Sequence, residues 1–189
     1  MSSDQLRRRS RTHDSATRPG WGQRALALAA ILAAAASLVF IEWITAAEAL
    51  ATAFWTNPLL PGGVLAARDN FVVQVDGTPI AFHVTPGCSA AVLLAPALVV
   101  YGVILLVRRI PLVRAVVAGV VMFVVIVVTN QLRLGMIGWA SQTWGMDVGY
   151  QISHRYVGSA LAIVGFCAGV VLLFLLTSRQ RRTRRNVTV

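Results

Sequence analysis

The stretch SAAVLLAPALVVYGVILLVRRIPLVRAVVAGVVMFVVIVVTN (residues 89–130) decides the fold. It holds two apolar runs, 89–107 and 112–130, separated by Arg108 and Arg109. Each run is close to the ~20 residues that carry a helix across the hydrocarbon core of a bilayer. Pro96 inside the first run is expected to kink the helix rather than end it, because a neighbouring helix can satisfy the freed backbone group. Two more runs flank this pair. One covers residues 25–44 with an alanine-rich continuation to Trp55, and the other covers 156–177. The expected fold is therefore an all-α integral membrane protein, a bundle of about four transmembrane helices.

Composition agrees. The chain has 189 residues, 57% hydrophobic and 13% charged, with a mean hydropathy of +0.70. A soluble domain of this size could not hide so much apolar surface, so part of its solvent is lipid. A net charge of +10 raises the question of nucleic acid. All 17 basic residues are arginine, however, and most stand at the edges of apolar runs. There they read as topology signals and lipid-headgroup contacts, and no nucleic-acid partner is expected. The first run is too long for a usual signal peptide, and bulky LVFIEWI follows its small residues. It is expected to be an uncleaved anchor.

The arginines also orient the bundle. Six precede the first run, three lie between the second and third, and five follow the fourth; only Arg68, Arg133 and Arg155 fall on the opposite side. By the positive-inside rule both termini are expected in the cytoplasm. Residues 1–24 then form a basic, disordered cytoplasmic tail, 25–177 a membrane domain, and 178–189 a second basic tail. Segments 57–87 and 134–153 face outward. The first contains FVVQVDGTPIAFHV (71–84), in which alternating apolar residues flank Asp76-Gly77, the pattern of a short β-hairpin. The second is rich in glycine and tryptophan and belongs at headgroup level.

The hairpin leads through Pro86-Gly87 to Cys88, at the boundary between polar and apolar sequence. Helix arithmetic finds partners for this thiol. Counting 1.5 Å per residue from the arginine boundary, Cys88 stands ~30 Å up, Arg133 ~28 Å and His154 ~37 Å. A thiol, a guanidinium and an imidazole thus terminate three spans at similar depth. Each has a plainer reading: an inert boundary cysteine, an arginine snorkelling to phosphates, an interfacial histidine such as His83 or His13. Joint placement favours chemistry, because an ionisable residue facing a bundle interior is a functional candidate. Together they suit cysteine acyl transfer, with imidazole as proton carrier and guanidinium stabilising thiolate or oxyanion. Glu42 and Glu48, ~27 and ~36 Å above Arg24, are possible orienting carboxylates. Cys167, deep in the last run, reads as a small buried packing residue.

TPGCSAA (85–91), NQLRLGMIG (130–138) and HRYVGSA (154–160) resemble the boxes of the exosortase/archaeosortase family, membrane cysteine transpeptidases. Cys88-Ser89 matches the Cys-Ser-Gly-like box, Asn130 and Arg133 the Asn-x-x-Arg box, and His154 and Gly158 the His-x-x-x-Gly box. The resemblance implies Cys88 as nucleophile, Arg133 as substrate or oxyanion binder and His154 as proton carrier, with Ser89, Asn130 and Gly158 in support. It also implies substrates that are exported, membrane-anchored proteins whose C-terminal sorting signal is a motif, a span and a basic tail. These would be cut at the outer face through a thioacyl intermediate and passed to an acceptor whose identity stays open. No cofactor or metal is expected. The chain departs from the family at Ala90, where glycine is usual, and in having fewer spans than many bacterial members. The alternative reading, from another class, is a non-enzymatic membrane scaffold or transporter component. A thiol-redox pair of Cys88 and Cys167 is disfavoured by the absence of a Cys-x-x-Cys motif.

Overall fold

The computed structural model describes residues 20–178; the expected tails lie outside these residues except at their inner ends, where Trp21–Arg24 are already part of the first helix and not of a disordered tail. The chain forms helix α1 (Trp21–Val39), helix α2 (Ile41–Thr56), strands β1 (Val64–Ala67), β2 (Asn70–Val75) and β3 (Thr78–His83), then α3 (Ala90–Val107), α4 (Leu112–Trp144) and α5 (Gly158–Ser178). Among the described residues, four helical segments are long and apolar enough to cross a membrane: Trp21–Val39, Ala90–Val107, Leu112–Tyr150 and Ser153–Ser178. Helix α2 is not one of them. The expected membrane bundle is thus present, with helix ends that differ from the expected ones. The alanine-rich continuation is a separate helix, because the chain breaks at Phe40. The third apolar helix continues past Asn130 to Trp144. At 33 residues it is ~50 Å long, well beyond the ~30 Å hydrocarbon core. Its surplus length is a post on which the non-membrane part is built.

In the membrane part, α1 packs along α3 and α5 along α4. Lipid gives helices no hydrophobic reason to associate, so close approach rests on small residues. Gly165 and Gly169 of α5 serve this role. A Cβ at Gly165 would lie 2.6 Å from Thr129 Cγ2, and one at Gly169 3.0 Å from Ile126 Cγ1. Ala97, Leu105, Ala118, Met122, Ile126 and Leu173 are buried between the helices, while Leu28, Leu32, Val120, Phe123 and Val171 face outward, as lipid requires. At the arginine-bearing end, buried Gln23 donates through Nε2 to the carbonyls of Leu105 (2.9 Å) and Arg108. It thereby satisfies carbonyls that the end of α3 leaves open.

The opposite end carries a second core. The strands form an antiparallel meander in the order β1-β2-β3. The expected hairpin is β2–β3, with Val75 opposite Thr78 and positive φ at Asp76 (50°) and Gly77 (79°), as a two-residue type I′ turn needs. β1 adds a third strand that its short, unpatterned sequence does not announce. Phe71, Val73 and Val75 alternate inward along β2, packing with Leu134 and Ile137 of α4 and Ala49 and Ala53 of α2. Gln142 Nε2 donates to the carbonyls of Gln74 (2.9 Å) and Pro61 (2.7 Å), pinning the sheet to the upper part of α4. The sheet therefore sits over the ends of the spans, at the depth of Cys88.

Candidate active site

Cys88 closes a single 3-10 turn, Pro86–Cys88, between β3 and α3. Its amide donates to Thr85 O at 2.8 Å. Ser89 is the N-cap of α3 and accepts from the Ala91 amide. The thiol thus stands just before a helix N-terminus, where the backbone dipole favours negative charge. Ala90 is the first residue of that helix, a conformation alanine adopts without strain, so the departure from the family's glycine costs no backbone energy here.

The neighbouring amides are already engaged. Ser89 N–H donates to Pro86 O, Ala91 N–H to Ser89 Oγ, and Ala90 N–H to Glu48 Oε1 at 2.8 Å. A backbone oxyanion hole at these three positions is therefore pre-empted, and negative charge beside the thiol must be met by a side chain. Arg133 supplies it. Its Nη2 lies 3.6 Å from Cys88 Sγ, across 45 residues of sequence. Cys88 is 8% exposed and Arg133 7%. Arg133 Nε, both amide atoms of Asn130 and Glu48 Oε2 are buried without a hydrogen-bond partner among the described residues. Buried polar groups are nearly always satisfied, so these unpartnered atoms, like Arg114 Nη1 elsewhere on α4, stand out.

His154 lies where wide helical turns, Gly145–Tyr150 and Ser153–Val157, join α4 to α5. It lines, with Cys88, a cavity of about 330 Å³. Tyr150 stacks on the imidazole, ring centroids 5.0 Å apart and planes 7° from parallel. Phe82 packs on Tyr150 (5.8 Å) and on Phe71 (5.3 Å), so a column of four rings ties the histidine to the sheet. Tyr150 was not among the candidates from sequence. Its signal is the spacing of four residues before His154, one turn of helix.

Gly158 is the seat of the guanidinium. A Cβ there would lie 3.1 Å from Arg133 Nε, 3.4 Å from Arg133 Cγ and 2.7 Å from Ser153 O. The two carboxylates part company. Glu48 is buried against the start of α3 and near enough to Arg133 for their charges to interact. Glu42 instead lines a separate polar cavity of about 730 Å³ with Arg68, Asp69 and His83. His83 pairs with Asp69 at 3.3 Å. Cys167 is exposed on the outer side of α5, against the expectation that it packs inside. The 3.6-residue periodicity of a uniformly apolar run carries no signal for which side of a span faces lipid.

A four-span membrane bundle that gathers a thiol, a guanidinium and an imidazole beneath a small sheet defines an integral membrane protein with a buried cysteine site. The family model described as transmembrane exosortase matches residues 62–175. The chain belongs to that family, and the match contains all three boxes. No curated protein and no solved structure matches it.

Proposed function

We propose that the protein is a membrane cysteine transpeptidase that cuts the C-terminal sorting signal of exported, membrane-anchored proteins at the outer face of the membrane. One observation carries the reading: Arg133 Nη2 stands 3.6 Å from Cys88 Sγ, beside a cavity that His154 shares. The arginine distribution supports an orientation with both termini in the cytoplasm, which puts this cavity outside.

In the proposed step the Cys88 sulfur attacks the scissile carbonyl carbon as its proton passes to His154. The oxyanion is held by Arg133, with the unpartnered Asn130 amide one helical turn away as a second donor. The C–N bond then breaks, the leaving amine takes the proton from His154, and the acyl group remains as a thioester on Cys88. An amine acceptor, or water, attacks that thioester and returns the proton to the thiol. Each donor is fixed before substrate arrives, the condition under which electrostatic stabilisation contributes most to rate.

The test is an exported reporter ending in a motif–span–arginine tail taken from the same cell, co-expressed with the protein. Cys88→Ala should leave the reporter full length, whereas Cys167→Ser should process it normally. Processing by Cys88→Ala at the wild-type rate would exclude the transpeptidase and leave the scaffold reading.

A further inference from the structure

The cavity that holds Cys88 and His154 has an unusual wall. Four consecutive residues of β3, Ile80 to His83, line it, followed by Thr85 and Cys88. Successive side chains of a strand point to opposite faces. A cavity that touches four in a row therefore reaches the edge of the strand, besides passing under the inner face of the sheet, where Phe71, Leu134 and Ile137 also line it. Among the described residues, the order β1-β2-β3 leaves that edge of β3 unpaired. Met146, Tyr150 and His154 stand across from it.

The register identifies which backbone groups face the cavity. In an antiparallel pair, residues alternate between exchanging hydrogen bonds with the partner strand and directing them away. The two-residue turn makes Val75–Thr78 a bonded pair. Val73–Ile80 and Phe71–Phe82 follow as bonded pairs, while Pro79, Ala81 and His83 point their backbone groups outward. Proline at 79 fits this parity, because its missing N–H lies on the side away from β2. Ala81 thus offers N–H and C=O to the cavity and His83 its N–H; the His83 carbonyl already accepts from Thr85 N–H at 3.1 Å.

We infer that the free edge of β3 is the binding site for an extended segment of the substrate polypeptide, which pairs with Ala81 and His83 as a fourth strand. This rests on the transpeptidase reading and adds how the substrate is held. Main-chain pairing supplies affinity that is tolerant of sequence, and the aromatic wall of Phe82 and Tyr150 supplies side-chain selection, the division of labour in strand-addition recognition. The strand leads directly into the Pro86–Cys88 turn, so a peptide in register along β3 is carried to the thiol.

Ala81→Pro removes the outward N–H without touching the β2 ladder, and native Pro79 occupies the same register two residues earlier. The variant should melt like wild type and lose processing of the reporter by about tenfold at limiting reporter level, the worth of one or two hydrogen bonds and a blocked edge. Processing at the wild-type rate would overturn the proposal. A second experiment covers the case in which Ala81→Pro does not fold. Ala81→Cys, in a chain also carrying Cys88→Ala and Cys167→Ser, is oxidised against reporters with single cysteines stepped through the motif. Disulfides at every second position support a paired strand; none, or no alternation, overturns it. This pattern does not depend on turnover, so it stands apart from the outcome of Cys88→Ala in the processing assay.

Discussion

Arg133 reaches the Cys88 sulfur from α4, and Glu48 meets the start of the following helix from α2. Arg133 presents a planar guanidinium to the sulfur, with Nε unpartnered among the described residues. Lysine keeps the charge and loses that two-point geometry, so Arg133→Lys should lower processing by about a hundredfold, read in the reporter assay with expression confirmed. Glu48 lies near enough to this cation for their charges to interact. Burial pushes its carboxyl from 4.5 up to about 7, opposed by the Ala90 amide, the Ser89 hydroxyl and the charge of Arg133. The folded state therefore holds this proton more tightly than the unfolded chain does. The stability it confers is full below pH ~4.5 and is lost as pH rises to about 7. A thermal melt in detergent should show that decline, on the order of 2 kcal/mol, in wild type and not in Glu48→Gln. Equal slopes in the two proteins would remove Glu48 from the electrostatics of the site.

Helices α4 and α5 bring Arg133 and His154 together only because the junction between them is shaped by small and aromatic residues. Gly158→Ala would set a methyl group 2.7 Å from Ser153 O and 3.1 Å from Arg133 Nε. Backbone cannot yield easily there, so the guanidinium should be displaced. Processing should fall at least tenfold, by analogy with the loss of one oxyanion donor, while membrane insertion is kept. Tyr150 stacks on the His154 ring. An aromatic stack is worth about 1 kcal/mol, so Tyr150→Leu should slow turnover roughly fivefold, and Tyr150→Phe should restore it. Equal rates for the leucine and phenylalanine variants would show that the ring does not position the histidine. The extra length of α4 belongs to the same scale. Without the turns beyond Arg133, the sheet would have no Leu134, Ile137 or Gln142 to rest on.

For the whole molecule the prediction is topological. Asp76 in the hairpin turn and Arg108 at the end of α3 are both exposed and lie at opposite ends of the bundle. In a Cys88→Ala, Cys167→Ser chain, a cysteine at 76 should react with a membrane-impermeant maleimide in intact cells. A cysteine at 108 should react only after permeabilisation. The reverse pattern would turn the site toward the cytoplasm and remove exported proteins as its substrates.

The four spans were legible in the sequence because lipid demands unbroken apolar runs of a set length, and such a run is a local property. The β2–β3 hairpin was legible for the same kind of reason: Asp76-Gly77 permits the positive φ its turn requires. Depth was legible too, since helical rise converts residue number into height, and it nominated Cys88, Arg133 and His154. Azimuth was not. Which side of a uniformly apolar helix faces protein depends on its neighbours, so the inward turn of Arg133, the outward position of Cys167 and the divergence of Glu42 from Glu48 were decided by packing. The capping of Ala90 by Glu48, the stack of Tyr150 on His154 and the free edge of β3 beside the thiol are likewise contacts between distant segments. They exist only once helices and sheet have docked, because no local rule of the chain encodes which surfaces will meet.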